Sequence, residues 1–254
     1  MKKLRVLVAC EMSGIVRDAF ISRGHDAMSC DLLPTERPGA HYQGDVRDIL
    51  DGWMPVSFTA ECDQYGDGWC QVRDCEIDEC QCIGTTQDGI EYIEKNGVLF
   101  GRPEESPNWD LLIGHPDCTY LCSSGLHWNK RVPGRDALTE QALEFVRLLM
   151  NAPIHKIAIE NPIGRINTAI RPPDCYIQPY EYGHDASKRT GLWLKNLPPL
   201  RPTKFVEPRV VDGKNRWGNQ CDSGQNKLGP SPDRWKERAR TYQGWADAFA
   251  AQWT

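Results

Sequence analysis

The sequence predicts an α/β protein built on an open parallel sheet, and three observations support this. Residues 4–9 form an apolar strand that is followed by apolar residues at helical spacing over residues 15–21. Residues 26–30 form a second strand that closes on an acid, Asp31. Two later apolar runs are each followed by a turn with polar side chains. Strands that alternate with helices in this way indicate a parallel sheet.

The turn after the first strand, residues 9–14, has the sequence ACEMSG and lacks the G-x-G-x-x-G pattern of dinucleotide sites. A dinucleotide is therefore disfavoured, and a nucleoside without a pyrophosphate fits this unit better. Asp31, at the end of the second strand, is placed to accept hydrogen bonds from ribose hydroxyls. The alternative is an ordinary strand–helix–strand unit that binds no ligand, and this segment alone favours neither reading.

Asp45 lies in the segment Gly44-Asp45-Val46, after a short strand or turn. Its carboxylate can reach a base amino group from there, or it can cap a helix start over residues 46–50. The two roles are compatible, so both stay open.

Residues 55–107 interrupt the α/β pattern with a cysteine-rich insertion. Five of the 11 cysteines of the chain fall within it, namely Cys62, Cys70, Cys75, Cys80 and Cys82. Four thiolates can hold a tetrahedral zinc ion, and the segment has few apolar residues to fold around without one. The alternative is a set of free thiols on a flexible insertion. Residues 90–101 then alternate around Asn96-Gly97, which predicts a hairpin.

The reactive candidates stand at the ends of two buried strands. The strand at residues 111–113 is followed by a turn that presents Cys118, and the strand at residues 156–159 ends in Glu160. Ligands of open α/β sheets bind beyond the carboxyl ends of the strands, so this thiol and this carboxyl are expected to share one site. Taken singly, the first is as readily a structural thiol and the second a turn cap. Cys122 is predicted to be a packing residue, or else a competitor of Cys118.

The C-terminal part divides into a loop region and a helix. Residues 196–232 are rich in Pro, Gly, Asn and basic side chains and have little periodicity. A closing helix is predicted to begin at Asp233. Its apolar stripe, which runs from Trp235 to Trp253, is predicted to be the core face of one helix.

Charge divides the chain unevenly. Residues 186–240 hold 13 Lys and Arg against 5 Asp and Glu, a net charge of +8, so the remainder carries −13 within a total of −5. A basic face on an acidic body is expected to contact phosphates, and the alternative is a solvated loop region. No run of about 18 apolar residues occurs, which argues against a membrane protein and makes the cytoplasm the expected location.

These segments, in this order, resemble the cytosine-5 DNA methyltransferase family, and most closely its small phage and prophage members with a cysteine-rich insertion. Residues 114–119, GHPDCT, resemble the family's G-G-P-P-C-Q loop, and residues 160–162, ENP, resemble its E-N-V motif. Residues 182–189 resemble a stretch that ends in Q-x-R-x-R. Residues 9–14, Asp31 and residues 44–46 stand at the cofactor motifs, and Gly244 stands at a degenerate final motif. The resemblance covers about residues 1–54, 108–195 and 233–252.

The resemblance implies a doubly wound, Rossmann-like class I methyltransferase sheet, with residues 1–254 as a single catalytic domain. It implies residues 55–107 as the insertion, and residues 196–232 as a short basic segment in place of a target-recognition domain. S-adenosylmethionine is the implied methyl donor, zinc the metal of the insertion, and DNA the partner, in the host cytoplasm if the gene is carried by a phage. The implied cofactor-binding residues are Cys10, Glu11, Ser13, Gly14, Asp31, Asp45, Val46 and His115.

The implied catalytic residues are Cys118, Glu160 and Arg189, with Lys188 as the fallback for Arg189. Carbon 5 of cytosine becomes nucleophilic when a thiolate adds to carbon 6, the role of Cys118. Glu160, protonated or sharing a proton, stabilises ring nitrogen 3, and Arg189 orients Glu160 or favours the thiolate.

Three substitutions depart from the family motifs: Asp117 replaces Pro, Thr119 replaces Gln, and Pro162 replaces Val. They leave other functions open. The chain is alternatively an enzyme that modifies carbon 5 in RNA or in a free pyrimidine nucleotide, or an amino-group methyltransferase. A third class is a zinc-stapled nucleic-acid-binding relative that has lost the reaction.

Overall fold

A computed structural model describes residues 2–50 and 109–254, together with the backbone of six short strands between them. The strands outside the insertion are β1 (Arg5–Ala9), β2 (Asp26–Asp31), β3 (His41–Gln43), β10 (Leu111–Gly114), β11 (Lys156–Pro162), β12 (Cys175–Ile177), β13 (Thr190–Lys195), β14 (Arg209–Val211) and β15 (Lys214–Arg216). The strands of the insertion are β4 (Met54–Pro55), β5 (Trp69–Cys70), β6 (Cys75–Glu76), β7 (Gly84–Thr85), β8 (Ile90–Lys95) and β9 (Val98–Pro103). The α-helices are α1 (Ile15–Ile21), α2 (Ser123–Leu126), α3 (Arg135–Met150), α4 (Arg165–Ala169), α5 (Arg234–Ala239) and α6 (Gln243–Gln252). Short 3-10 helices cover Val46–Asp48, His127–Lys130 and Pro179–Glu181.

Seven strands form one sheet in the order β12-β13-β11-β10-β1-β2-β3. The five strands from β11 to β3 run parallel to their neighbours, whereas β13 is antiparallel to β11 and β12 is antiparallel to β13. The α/β prediction with a mainly parallel sheet is therefore confirmed, and the sheet is consistent with a methyltransferase-like Rossmann fold.

Both faces of the sheet are covered, because successive side chains of a strand point to opposite faces. In β1, Leu7 and Ala9 pack with the α3 side of the sheet, while Val6 and Val8 pack with α1 and α6. The central strands β1, β10 and β11 are therefore mainly apolar, which is why they were recognisable as short apolar runs.

The chain reverses its direction of winding between β1 and β10. The order β1, β2, β3 extends one half of the sheet, and β10, β11 extends the other. The loops that leave β1 and β10 therefore diverge to opposite faces and open a crevice at the carboxyl ends of the strands, where open α/β sheets bind their ligands.

The insertion contributes a four-stranded sheet in the order β4-β9-β8-β7, in which β8 and β9 pair antiparallel as the predicted hairpin. In a separate two-stranded ladder, Cys70 pairs with Cys75. The other cysteines of the zinc prediction, Cys62, Cys80 and Cys82, lie outside the described residues, as do the side chains of these two. The zinc site stays a prediction.

Near the C-terminus the predicted single helix is wrong, because the structure has two. The chain leaves α5 at Arg240 in an extended conformation, and α6 begins after Tyr242. The break allows the Arg240 guanidinium to reach Glu36, at 2.8 and 3.0 Å. Phe249 and Trp253 are buried as predicted, but Trp235 is 52% exposed.

Membrane insertion was not expected from the sequence. No helix within residues 2–50 and 109–254 is long and apolar enough to cross a bilayer.

Candidate active site at the carboxyl ends of the strands

The loop after β1 turns sharply and buries an acid. Cys10 adopts a left-handed backbone conformation with φ of 59°, which directs the Glu11 side chain inward. The Glu11 carboxylate is 4% exposed and accepts hydrogen bonds from the Val16 N–H at 2.7 Å and the Ser13 hydroxyl at 2.9 Å. A carboxylate of the chain itself thus occupies the start of α1, where a dinucleotide would place its phosphates. This agrees with the expectation that a pyrophosphate ligand is disfavoured.

Asp31 and Asp45 stand at the next two strand ends. One Asp31 carboxylate oxygen accepts the Leu33 N–H at 2.9 Å, and burial raises the pKa of Asp31. Asp45 accepts the Arg47 N–H at 3.0 Å and so caps the 3-10 helix that follows it. The capping role foreseen for Asp45 is confirmed, and its contact with a base stays a prediction. Val46 is buried in the core.

Three carboxylates, each at or after the end of a different strand, influence the thiol of Cys10. Burial is the main cause that raises the pKa of the Cys10 thiol, and the charges of Asp31, Asp45 and Asp117 add to it. Cys10 is therefore a neutral thiol in an anionic environment. Such an environment favours a cationic ligand and opposes a phosphate.

Asp117 organises the loop that carries Cys118. Its carboxylate accepts the Thr119 N–H at 2.9 Å and the Thr119 hydroxyl at 2.7 Å. The Cys118 carbonyl in turn accepts the N–H groups of Leu121 and Cys122 at 3.0 and 2.9 Å. The Asp–Thr pair thus closes the turn where the resembled family has Pro and Gln, so these two departures have a structural reason.

The ends of β10 and β11 are joined by side chains. Glu160 lies 3.0 Å from His115 through an Oε2–Nδ1 contact, and their side chains are 9% and 7% exposed. The Asn161 amide donates to the Pro116 carbonyl at 2.7 Å. Further along, the Arg165 N–H donates to the Leu121 carbonyl at 2.7 Å, an approach that leaves no room for a Cβ at residue 164. The Cys118 loop is therefore held against the segment that carries Glu160.

Glu160 is ionised at neutral pH in the free protein. Burial alone would raise the pKa of Glu160, but the charge of Lys188 and the hydrogen bond and charge of His115 outweigh it, and the pKa lies below its ordinary value. The sequence left open a protonated Glu160 or one that shares a proton. The lowered pKa of Glu160 argues against a carboxyl that stays protonated in the free protein.

Three buried polar atoms at these strand ends have no hydrogen-bond partner among the residues that the structure describes. They are Glu160 Oε1, His115 Nε2 and Asn161 Oδ1. Buried polar groups are normally paired, so these three atoms are available to a polar ligand in the crevice.

Lys188, rather than Arg189, is the cation of this site. The charge of Lys188 favours the ionised forms of both Cys118 and Glu160, although other causes raise the pKa of Cys118 overall. Arg189 points the other way and lies 4.0 Å above the ring of Tyr176. Alternation along an extended chain explains the difference, because Lys188 shares its side with Thr190 at the start of β13.

Cys122 lies one turn after Cys118, because its N–H donates to the Cys118 carbonyl at 2.9 Å, and its side chain is partly buried. The Cys122 sulfur lies 3.2 Å from the Ser124 hydroxyl. Cys122 therefore stands in the same turn as the candidate nucleophile, and its role as a packing residue or a competitor of Cys118 stays a prediction.

No cluster of three or more metal-ligating side chains is present in residues 2–50 and 109–254. Among the described residues, the crevice has the ammonium group of Lys188, the thiols of Cys118 and Cys122, and several carboxylates. It is equipped for covalent and acid–base chemistry.

Comparisons with known proteins give a distant structural likeness. No protein-family model matches the chain, and no curated protein matches it. Among solved structures, the chain is similar to an E. coli prophage protein that is considered a DNA modification methyltransferase, with 13% identity and a TM-score of 0.40. The match covers 83% of this chain and 57% of that chain, so this chain spans less than two thirds of its neighbour. Its function has to be argued from its own residues.

Proposed function

We propose that this chain transfers a methyl group from S-adenosylmethionine to carbon 5 of cytosine in DNA, through a covalent adduct on Cys118. The observation that carries the proposal is the arrangement of Cys118 and Glu160. They come from adjacent strand ends, their loops are hydrogen-bonded to each other, and both are under the charge of Lys188. A thiol and a carboxylate so placed can act on one pyrimidine ring.

In this mechanism the Cys118 sulfur forms a bond to carbon 6 of cytosine as its S–H bond breaks. The ring electron pair moves from the carbon 5–carbon 6 double bond toward nitrogen 3, and carbon 5 becomes an enamine carbon. Glu160 takes up one proton from solvent as the base binds, and its free oxygen donates this proton to nitrogen 3 as charge develops there, while His115 keeps the other oxygen in place. Lys188 stabilises both negative groups.

The residues of the crevice fit S-adenosylmethionine. Asp31, Asp45 and Asp117 make the environment of Cys10 anionic, which suits a sulfonium, and Glu11 closes the position that a pyrophosphate would need. Asp31 is placed to hold the ribose hydroxyls, since it ends β2 beside the crevice. When bound, this donor supplies an electrophilic methyl group to carbon 5.

DNA is proposed as the substrate because the basic residues 186–240 adjoin the site. Lys188 donates to the Arg238 carbonyl at 3.2 Å, and the charge of Arg238 acts on Cys122, so the basic α5 lies beside the reactive thiols. These cations are suited to the phosphates that flank a target base. A base in duplex DNA has to be flipped out to reach Cys118, at a cost of a few kcal/mol.

The test is a trapping experiment with 5-fluorocytosine. Fluorine takes the place of the proton that carbon 5 must lose, so the adduct persists. The protein is incubated with S-adenosylmethionine and fluorinated DNA, RNA or nucleotide, and a denaturation-stable adduct is sought by gel shift and mass spectrometry.

We expect an adduct with DNA that maps to Cys118, is absent in Cys118→Ser, and persists in the matched variant Cys175→Ser. Trapping of RNA or nucleotide but not DNA would reject the DNA assignment. Salt-sensitive DNA binding without any adduct would reject the methyltransferase and favour the non-catalytic relative.

A further inference from the structure

We propose that Asn219 is a positioning residue that holds the main chain at Ser187 and so keeps the Lys188 ammonium on the Glu160 side of the sheet. The effect on methyl transfer rests on the proposed function. Asn219 acts through Lys188 and needs no contact of its own with the substrate. Residues 196–232, which the sequence indicated only as a basic loop region, thereby take part in placing the reactive groups.

The register of the sheet puts Lys188 and Glu160 on one face. Glu160 lies opposite Leu192 in the antiparallel ladder of β11 and β13, and side chains two residues apart in an extended chain share a face. Leu192 therefore shares its face with Thr190 and Lys188. In agreement, the Lys188 ammonium lies 5.8 Å from the ring centroid of Trp245, which packs in the same core cluster as Leu192. The side on which Lys188 lies thus follows from the geometry of the sheet.

Lys188 itself lies just before the ladder, so the ladder does not fix it. β13 begins at Thr190, where it pairs with Pro162 of β11. The Lys188 N–H donates to the side-chain oxygen of Gln178 at 3.0 Å, and the Lys188 ammonium donates to the Arg238 carbonyl at 3.2 Å. A lysine side chain has many rotamers, so its ammonium keeps one place only if the main chain beneath it is held.

The Asn219 side chain serves Ser187 as a ladder partner would. Its amide oxygen accepts the Ser187 N–H at 2.9 Å, and its amide nitrogen donates to the Ser187 carbonyl at 3.0 Å. Beside it, the Gly218 N–H donates to the Asp185 carboxylate at 2.7 Å, an approach that leaves no room for a Cβ at residue 218. The main chain is therefore held at two points immediately before Lys188.

Asn219 is in turn fixed by the fold of its own segment. The Asn219 carbonyl accepts the Lys227 N–H at 2.8 Å. The ring of Trp217 stacks on that of Tyr180, with 4.2 Å between their centroids, and docks the segment on the chain that leads to Lys188. The Asn219 amide is thus presented from a folded segment that contacts the strand-end region at several points.

The first experiment measures the accessibility of the Lys188 amine without substrate, so it does not depend on the proposed function. Wild-type protein and Asn219→Ala are acetylated with N-hydroxysuccinimidyl acetate at constant pH, and the rate at each lysine is followed by mass spectrometry. Lys156 is the internal control, because it is also half-buried and its ammonium donates to a backbone carbonyl at 3.2 Å. Asn151→Ala is the control variant, because Asn151 is exposed and its amide donates to a carbonyl of α3.

We expect Lys188 to be acetylated about 5- to 100-fold faster in Asn219→Ala, because the loss of two hydrogen bonds frees the main chain before it. Lys156 should keep its wild-type rate, and Asn151→Ala should change neither lysine. Asn219→Asp keeps the acceptor and loses the donor, so it should give an intermediate rate, and it replaces Asn219→Ala if that variant does not fold. An unchanged rate at Lys188, or an equal rise at Lys156, would overturn the proposal.

The second experiment measures the rate of adduct formation with fluorinated DNA in a double-mutant cycle. Asn219→Ala should lower the rate at saturating DNA by up to about tenfold, as Lys188→Gln does, and leave the half-saturating DNA concentration within about twofold. In the Lys188→Gln background it should cause no further loss, because its effect passes through Lys188. Losses that multiply would indicate a structural role only and reject the proposal. If the wild type forms no adduct, the proposed function fails, and the acetylation rates still decide the role of Asn219.

Discussion

The two halves of the crevice differ in whether their carboxylates are fully hydrogen-bonded and in the charge of the neighbouring side chains. In the half formed by β1 and β2, Glu11 and Asp31 are tied to the backbone of their own loops, and the side chains near Cys10 are mostly acidic. In the half formed by β10 and β11, Glu160 keeps an unpaired oxygen and a cation acts on a thiol. We therefore expect the half formed by β1 and β2 to hold a cationic donor, and the half formed by β10 and β11 to carry the reacting groups.

The largest effect is expected from Cys118→Ala, which removes the nucleophile from the reactive half. Methyl transfer should fall by more than about 1,000-fold, while binding of S-adenosylmethionine stays within about twofold. Tritium transfer to DNA and calorimetric binding measure the two quantities. If Cys118→Ala also lost donor binding, the two halves would not have separate roles in binding and reaction.

Glu160→Gln tests the acid of the reactive half. It removes the negative charge that holds the proton at nitrogen 3, and kcat should fall by about 100- to 1,000-fold. Glu144→Gln is the matched control, because Glu144 is exposed and pairs only with Arg147 on α3. A loss below tenfold would remove Glu160 from the mechanism.

Lys188→Gln, compared with Arg189→Gln, decides which cation serves the site. Loss of the Lys188 charge should raise the pKa values of Cys118 and Glu160 and reduce methyl transfer about tenfold at pH 7. Arg189→Gln should have a smaller effect, since Arg189 stacks on Tyr176. The reverse ranking would restore the sequence-based choice of Arg189.

Lys188→Gln should also change how the stability of the fold depends on pH. The folded pKa of Glu160 lies below its ordinary value of 4.5, so the ionised group stabilises the fold above pH 4.5 and this contribution is lost as the pH falls through the folded pKa. Lys188→Gln should therefore narrow the difference in melting temperature between pH 7 and pH 4. An unchanged difference would mean that Lys188 does not act on Glu160.

Asp31→Asn tests the half of the crevice formed by β1 and β2, which is proposed to hold the methyl donor. It should weaken binding of S-adenosylmethionine about tenfold and leave kcat at saturating donor within about twofold, because Asp31 does not face the thiol pair. The control is Asp26→Asn, an exposed acid of β2 that pairs with Lys3. If Asp31→Asn changed kcat alone, the assignment of donor binding to the half formed by β1 and β2 would be contradicted.

The smallest effect is expected from Arg240→Gln. The Arg240–Glu36 pair connects the C-terminal segment with the loop after β2, but it is solvent-exposed and should contribute less than about 1 kcal/mol to the free energy of unfolding. Urea unfolding measures this. A larger loss would show that the pair anchors α5.

Much of the fold was predictable because strands buried on both faces form unbroken apolar runs. The positions of Asp31, Glu160 and Cys118 were predictable for the same reason, since the two acids come at the end of such a run and Cys118 lies in the turn after one. β12 ends at Ile177, because a 3-10 helix begins at Pro179, which has no N–H to donate. The prediction of one unbroken C-terminal helix was wrong, because the apolar spacing did not reveal that the chain becomes extended at Arg240.

Local order along the chain was enough to establish which strands exist and which chemical groups end them, since both follow from neighbouring residues. Folding decided which of these groups meet. The sheet order set Glu160 beside the Cys118 loop, and the alternation entering β13 put the charge of Lys188, rather than that of Arg189, on Glu160. These outcomes depend on distances between residues remote in sequence, and on burial that shifts pKa values only once the chain has closed around them.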